Sequence, residues 1–180
     1  KWPVILASNR DEFFERKSKD PKRHWADKPY IIGGLDILKG GTWLAINDYG
    51  IVSCIHNRNF KEKNFLPKET RGKIILEILE GHNINEVISI LKSLDLSVYN
   101  GFNIIIADNK NVYWAKYSKP QAKISVNPLS EGISIITESD PNNLNDKKIN
   151  KYKKIFSQTP YPNPDKRDWS KWEKNLTYNE

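Results

Sequence analysis

One β-hairpin constrains the fold of this chain more than any other feature of its sequence. Two short runs rich in apolar residues, 42–47 and 51–56, flank the tripeptide Asp48-Tyr49-Gly50. A three-residue connection ending in glycine is typical of a hairpin whose glycine adopts the left-handed conformation. Strand alternation places Cys54 and His56 on one face, and apolar residues occur on both faces. The chain is therefore predicted to contain an antiparallel sheet that is buried in part on both sides.

Helical spacing of apolar residues follows this hairpin twice. The pattern predicts amphipathic helices over 70–80 and 83–94. Asn83 and Glu86 have the spacing of a capping box, in which each side chain can satisfy a free backbone N–H at the start of the helix. Two helices are thus expected to pack against the sheet.

The remaining segments complete the pattern of an α+β fold. A second hairpin is predicted over 102–117, and residues 16–28, which are charged and contain a proline, are predicted as an exposed loop. Further elements are strands at 2–8, 30–32, 122–126 and 132–137, a helix at 145–157 and a last amphipathic turn around 169–172. Strands, two helices, strands and a helix in this order indicate α+β with an antiparallel sheet.

Composition narrows the possible partners without naming one. The 180 residues fit one domain, and 29 Lys and Arg against 22 Asp and Glu give a net charge of +7. That excess suits either an acidic partner or a solvated basic surface. The sequence shows no nucleic-acid-binding motif, so a nucleic acid or other polyanion is only a distant alternative. No apolar run approaches the length of a membrane span.

Cysteine and histidine usage argues against a disulfide or a metal site. Cys54 is the single cysteine, and the three histidines lack the spacing of metal ligands. A reducing, cytoplasmic setting is therefore expected. The chain has no methionine and begins within an apolar run, so we expect residues to be missing from its front.

Charged residues follow the first apolar run directly. In a strand, Arg10 and Glu12 would share one side and Asp11 would lie on the other. An Arg–carboxylate pair at a buried strand end must be satisfied, so it either supports the scaffold or orients a nucleophile. Spacing alone leaves both interpretations open.

Several motifs together resemble one known family. The sequence is similar to the NRDE family, also called the transport and Golgi organisation protein 2 family, over about residues 3–156. The matching motifs are Asn9-Arg10-Asp11-Glu12, Gly40-Gly41-Thr42-Trp43, Asn57-Arg58-Asn59, Thr70-Arg71-Gly72 and Tyr99-Asn100-Gly101-Phe102-Asn103.

This resemblance implies an αββα sandwich of the N-terminal-nucleophile hydrolase type, with antiparallel sheets. The nucleophile of such a family is an N-terminal Cys whose α-amino group, with a pKa of about 7.7–8.0, serves as the base. The given sequence has no Cys near its beginning. Residues 1–180 are therefore expected to be a single domain that lacks the start of its N-terminal strand and its C-terminal strands.

The resemblance also implies roles for particular residues. Asp11 would hold the α-ammonium group, and Arg10 would orient the thiolate or a substrate carboxylate. Asn57 and Asn100 would donate hydrogen bonds to an oxyanion.

Four further residues of the matching motifs are candidates for ligand binding. They are Asn9, Glu12, Trp43 and Arg58. No metal ligand is expected.

Two functions follow from the resemblance. The first is intracellular haem trafficking or the handling of lipids and acyl-CoA, with haem or an acyl-CoA type ligand as bound cargo and no cofactor required. The alternative is a C–N hydrolase that acts on linear amide bonds through an N-terminal Cys outside the given sequence. The family's eukaryotic roles also make a mitochondrial or Golgi-associated location an expectation.

Overall fold

Seven antiparallel strands, each hydrogen-bonded to the next along the chain, form the only sheet in the part of the chain that the structure describes. The structure is a computed structural model and describes residues 2–10, 12–58, 68–118 and 123–177. The strands are β1 Ser18–Lys22, β2 Ile31–Asp36, β3 Leu44–Asn47, β4 Val52–Asn57, β5 Phe102–Ala107, β6 Val112–Ser118 and β7 Lys123–Pro128.

Four helices accompany the sheet in these residues. They are α1 Gly72–Ile78, α2 Ile84–Ser93, α3 Lys147–Gln158 and α4 Ser170–Leu176, and 3₁₀ turns occur at Leu96–Val98 and Pro164–Lys166. The predicted α+β class with an antiparallel sheet is confirmed. No described helix is long and apolar enough to cross a membrane.

Turn chemistry explains both predicted hairpins, which are confirmed. Gly50 has a φ of +78°, the left-handed conformation that a side chain would strain. Between β5 and β6, one carboxylate oxygen of Asp108 accepts hydrogen bonds from the backbone N–H groups of Lys110 and Asn111 at 2.8 and 2.7 Å. Each turn thereby fixes the register of the strands that it joins.

One face of the sheet carries the main hydrophobic core. Ile104 and Ile106 of β5 are fully buried on this face, which we call the covered face. Apolar side chains of α1 and α2 complete the same core, including Ile74, Ile78, Val87 and Leu91. Removing this apolar surface from water is the main source of folding free energy.

The start of α2 has the predicted cap, with one difference. Asn83 Oδ1 accepts hydrogen bonds from the backbone N–H groups of Asn85 and Glu86, both at 3.1 Å. Glu86 accepts from the N–H of His82 at 2.9 Å, one residue before the position that a standard capping box uses.

A close backbone contact fixes the start of α1 against the sheet. Thr42 N–H donates to the carbonyl of Gly72 at 3.1 Å. A Cβ atom on Gly41 would lie 2.7 Å from the carbonyl carbon of Gly72, so a side chain there would push α1 away. Both glycines belong to motifs that carry the family resemblance.

Two predicted strands are wrong. Residues 2–8 lie over the second face of the sheet, where Ser8 contacts Cys54, and so they pair with neither sheet edge. Residues 132–137 are irregular because side chains satisfy their backbone groups. The Thr137 carbonyl accepts from Asn103, and the Ile135 N–H donates to Asn142.

Strand boundaries also differ near the start of the sheet. The predicted loop 16–28 contains β1, which is an edge strand. Its residues are all exposed and are charged or small, so the sequence has no apolar alternation that would predict a strand. Such a composition also protects the sheet edge from pairing with another chain. The sequence predicts that the strand at 30–32 ends at Gly33 and Gly34, but β2 continues through both glycines to Asp36. The turn predicted around 169–172 is part of α4.

Candidate functional site

A cleft of about 2130 Å³ lies over the second face of the sheet, which we call the cleft face. Its floor includes Cys54 and Ile105, which are paired in register on β4 and β5. Its walls come from residues 2–10, 68–73 and 129–138 and from parts of α3 and α4. The volume exceeds the range of about 300–1,000 Å³ that is typical of small-ligand pockets.

Cys54 is held in a form that is poor for nucleophilic attack. Its Sγ lies 3.3 Å from Nε2 of His56 and 3.6 Å from Oγ of Ser8. Burial raises the pKa of the Cys54 thiol to about 11, against a smaller opposing effect of the Ser8 hydrogen bond. The thiol is therefore protonated near neutral pH, and attack requires the thiolate.

Asn103 organises the middle of the cleft face and is fully buried. Its Oδ1 accepts hydrogen bonds from Nη1 of Arg58 at 2.9 Å and from Nε1 of Trp114 at 3.1 Å. Its amide nitrogen donates to the carbonyls of Thr137 and Ser139, both at 2.9 Å. All of its hydrogen-bonding capacity is used, so Asn103 anchors the irregular segment 137–139 to the sheet.

Arg58 belongs to the same network. Its Nη2 pairs with the carboxylate of Asp140, and Nζ of Lys116 contacts the other oxygen of that carboxylate at 2.8 Å. Burial raises the pKa of Asp140, but hydrogen bonds from Lys116 and Arg58 and their charges lower it overall. Arg58, predicted as a ligand contact, thus holds Asn103 and Asp140 and does not line the cleft.

The wall near Trp43 brings three predicted residues together. The guanidinium carbon of Arg10 lies 5.0 Å from the centroid of the Trp43 ring, a cation–π distance. Glu12 pairs with Nη1 of Arg16 at 2.7 Å. All of these residues line the cleft. Asp11, predicted to hold an α-ammonium group, lies outside the described residues.

The other predicted residues lie at different places along the cleft. Asn9 donates from its side chain to the carbonyl of Leu176 at 2.8 Å, which connects the first segment to α4. The register pairs Asn57 with Phe102, so Asn57 and Asn100 lie at the same end of the β4–β5 pair. Both asparagines line the cleft, as an oxyanion role would require.

Two arginines of this site were missed by sequence reasoning. Arg16 contacts Asp36 as well as Glu12, and the hydrogen bonds that Arg16 donates to the Asp36 carboxylate are the main cause that raises the pKa of Arg16. Arg71 donates from Nε to the Gly101 carbonyl at 3.0 Å. Burial lowers the pKa of Arg71, as does the charge of Arg16. Arg71 stands within a matching motif, but no sequence pattern predicted that it would be partly buried.

Comparison with known proteins identifies the family. The sequence model described as "Transport and Golgi organisation 2" matches residues 1–174. The chain belongs to this family. Trp43 and Arg71 both lie within the matched residues and both line the cleft.

Several relatives have the same name. The mouse Transport and Golgi organization 2 homolog is 36% identical over 112 residues, which are 59% of this chain and 39% of that protein. The human homolog is 34% identical over 112 residues, which are again 59% of this chain and 39% of that protein. The protein of Drosophila melanogaster is 34% identical over 117 residues, 58% of this chain and 39% of its own. The chain spans about two-fifths of the length of the relatives that it matches.

Proposed function

We propose that this chain binds a large ligand that combines an apolar body with acidic groups, of the haem or acyl-CoA type, in the cleft. The observation that carries the proposal is the cleft itself, because its 2130 Å³ join an apolar wall to a group of basic side chains. Recognition requires no resident cofactor, and the ligand is cargo. The relatives' names concern transport and Golgi organisation, with which cargo binding is compatible.

Apolar and aromatic side chains supply the surface for the ligand body. Val4, Ile5 and Leu6 line one wall and are partly buried, while Trp2 is 52% exposed. Aromatic residues of α3 and α4 also line the cleft, namely Tyr152, Phe156 and Trp172. Burying a flat ring system or an acyl chain against these side chains would remove apolar area from water at about 25 cal/mol per Å².

Basic side chains supply the complement to acidic groups. Around Trp43 and the start of α1, the cleft is lined by six basic residues and three acidic ones, Arg10, Arg16, Lys39, Lys68, Arg71 and Lys73 against Glu12, Asp36 and Glu69. Acidic residues predominate elsewhere along the walls, on segments such as 131–138. A ligand with propionate or phosphate groups at one end would therefore bind in one direction.

The αββα sandwich remains part of this proposal. A second sheet would pack over β6 and β7 on the cleft face, against Trp114, and leave Ile105 and the basic end near Trp43 open to ligand.

Binding can be measured directly. We expect haem added to the purified full chain to shift its Soret band and to saturate, and palmitoyl-CoA to displace it. Leu6→Asp places a charge on the apolar wall and should weaken binding, whereas Leu144→Asp, at a position that is 57% exposed and outside the cleft, should not. Absence of saturable binding of either ligand to the wild-type chain would refute the proposal.

The amidase alternative depends on a different group. Cys54 cannot serve as an N-terminal nucleophile, because its nitrogen is in a peptide bond within β4 and its thiol has a raised pKa. Hydrolysis would need a Cys with a free α-amino group. Intact mass of the full-length gene product before and after one equivalent of a thiol alkylator tests this, and preferential modification of an N-terminal Cys would favour the hydrolase.

A further inference from the structure

Arg71 is held at the cleft wall by contacts that leave its outer nitrogens available. Its backbone lies next to Gly72, which packs against Gly41. Its Nε donates to the Gly101 carbonyl at 3.0 Å, and the backbone N–H of Arg58 donates to the same oxygen at 3.2 Å. This bond uses one of the five N–H groups of the guanidinium.

Arg16 and Arg58 form ion pairs, whereas Arg71 forms none with the residues that the structure describes. Arg16 pairs with Glu12 and Asp36, and Arg58 pairs with Asp140. Among residues 2–10, 12–58, 68–118 and 123–177, no carboxylate lies within ion-pair distance of Arg71. The charge of Glu12 acts on Arg71 favourably but more weakly than the opposing charge of Arg16, with which Glu12 itself pairs.

A partly buried cation without a counterion is costly, since burial removes hydration that no partner replaces. The guanidinium fork fits the two oxygens of a carboxylate or a phosphate. We propose that Arg71 binds an oxyanion, a carboxylate or phosphate group of the cleft ligand, at the wall beside Gly101. The assignment of this anion to a larger ligand rests on the proposed function, whereas the anion site itself does not.

The test compares ligands that differ only in their acid groups. Haem and haem dimethyl ester share a ring system, and the ester lacks free carboxylates. Inorganic pyrophosphate supplies phosphate alone and is followed through the Nε–H signal of Arg71 in ¹⁵N NMR spectra of the wild-type chain. The variants are Arg71→Gln and Arg71→Lys, with Arg23→Gln as the matched control because Arg23 pairs with Asp48 outside the cleft.

We expect Arg71→Gln to weaken the binding of an acid-bearing probe by about tenfold to a hundredfold, the usual effect of losing hydrogen bonds to a charged group. Binding of the dimethyl ester should not change. Arg71→Lys should retain part of the affinity, because it keeps the charge without the fork. Arg23→Gln should bind like the wild type. An effect confined to haem identifies a carboxylate, and a shift caused by pyrophosphate identifies a phosphate.

The outcomes separate this proposal from the proposed function. Equal binding of haem and its ester, together with an Arg71 signal that pyrophosphate does not move, overturns the anion site even where haem binds well. Absence of binding of both haem and palmitoyl-CoA refutes the proposed function, and the pyrophosphate titration then decides the anion site alone. Should thermal unfolding show that Arg71→Gln is not folded, Arg71→Lys and the wild-type NMR titration decide it.

Discussion

The two faces of the sheet differ in what their side chains contact. On the covered face, Ile104 packs with α1 and α2 in a core of apolar residues. On the cleft face of the same strand, Asn103 binds four polar groups and Ile105 lines a cleft. Adjacent residues of β5 thus serve stability on one side and a site on the other. A sheet can separate these tasks because its side chains alternate.

Adjacent isoleucines of β5 give the largest expected contrast. Ile104→Ala should lower the free energy of unfolding by about 3 kcal/mol, because it leaves a cavity in a closely packed core. Ile105→Ala should cost less, about 2 kcal/mol, because the cleft lets solvent or neighbouring side chains fill the space. Urea unfolding of both variants measures the difference. Equal costs would show that the two faces are packed alike.

Asn103→Ala should cost about 2 kcal/mol. The variant leaves the carbonyls of Thr137 and Ser139 and the indole N–H of Trp114 without their partner in a partly buried place. The matched control is Asn127→Ala, an exposed position opposite Trp114 on β7, which should be nearly neutral. Urea unfolding again measures both, and a neutral Asn103→Ala would show that segment 137–139 is held by other contacts.

Asp140 should contribute a smaller effect that depends on pH. Its pKa is lowered in the folded chain, so its contribution is present above the unfolded-state pKa and is lost as the pH falls through the folded-state value. Because this side chain is 42% exposed, we expect less than about 1 kcal/mol. Asp140→Asn should lose stability at pH 7 and differ least from wild type in acid. A constant difference across this range would contradict the assignment.

The smallest expected effect concerns the reactivity of Cys54. With a pKa raised to about 11, its thiol should react slowly with a disulfide reagent at pH 7–8 and faster as the pH rises toward that value. The rate in denaturant, where burial is lost, is the control. A fast reaction of the folded chain at pH 7 would show that Cys54 is activated and would reopen a catalytic role for it.

The sequence predicted the elements whose signals are local. The hairpin at Gly50, the cap at Asn83 and the strand β5 all follow from a few neighbouring residues. It failed where tertiary contacts decide the conformation. Residues 132–137 have a strand-like composition. The backbone carbonyls of Thr137 and Ser139, however, accept hydrogen bonds from the Asn103 side chain, where the carbonyls of a strand accept them from a neighbouring strand.

The site was predicted only in part for a similar reason. The motif resemblance selected Arg10 and Trp43, which do meet in the cleft. It did not select Arg71 or Asn103 as site residues, because their roles depend on tertiary contacts. Arg71 is partly buried with one hydrogen bond from its side chain, and Asn103 is buried with all of its side-chain hydrogen bonds made. A single buried asparagine in the otherwise apolar strand Phe102–Ala107 was the one available signal.

Ligand binding at the cleft face can be tested directly with isoleucines on the two faces of the sheet as reporters. Methyl NMR spectra of the isoleucine-labelled full chain, recorded with and without haem, would compare Ile105 on the cleft face with Ile104 on the covered face. We predict large ring-current shifts at Ile105 and at Ile5 of the cleft wall, and little change at Ile104. Shifts concentrated at Ile104 and its neighbours in the core, or none at any isoleucine, would contradict this prediction.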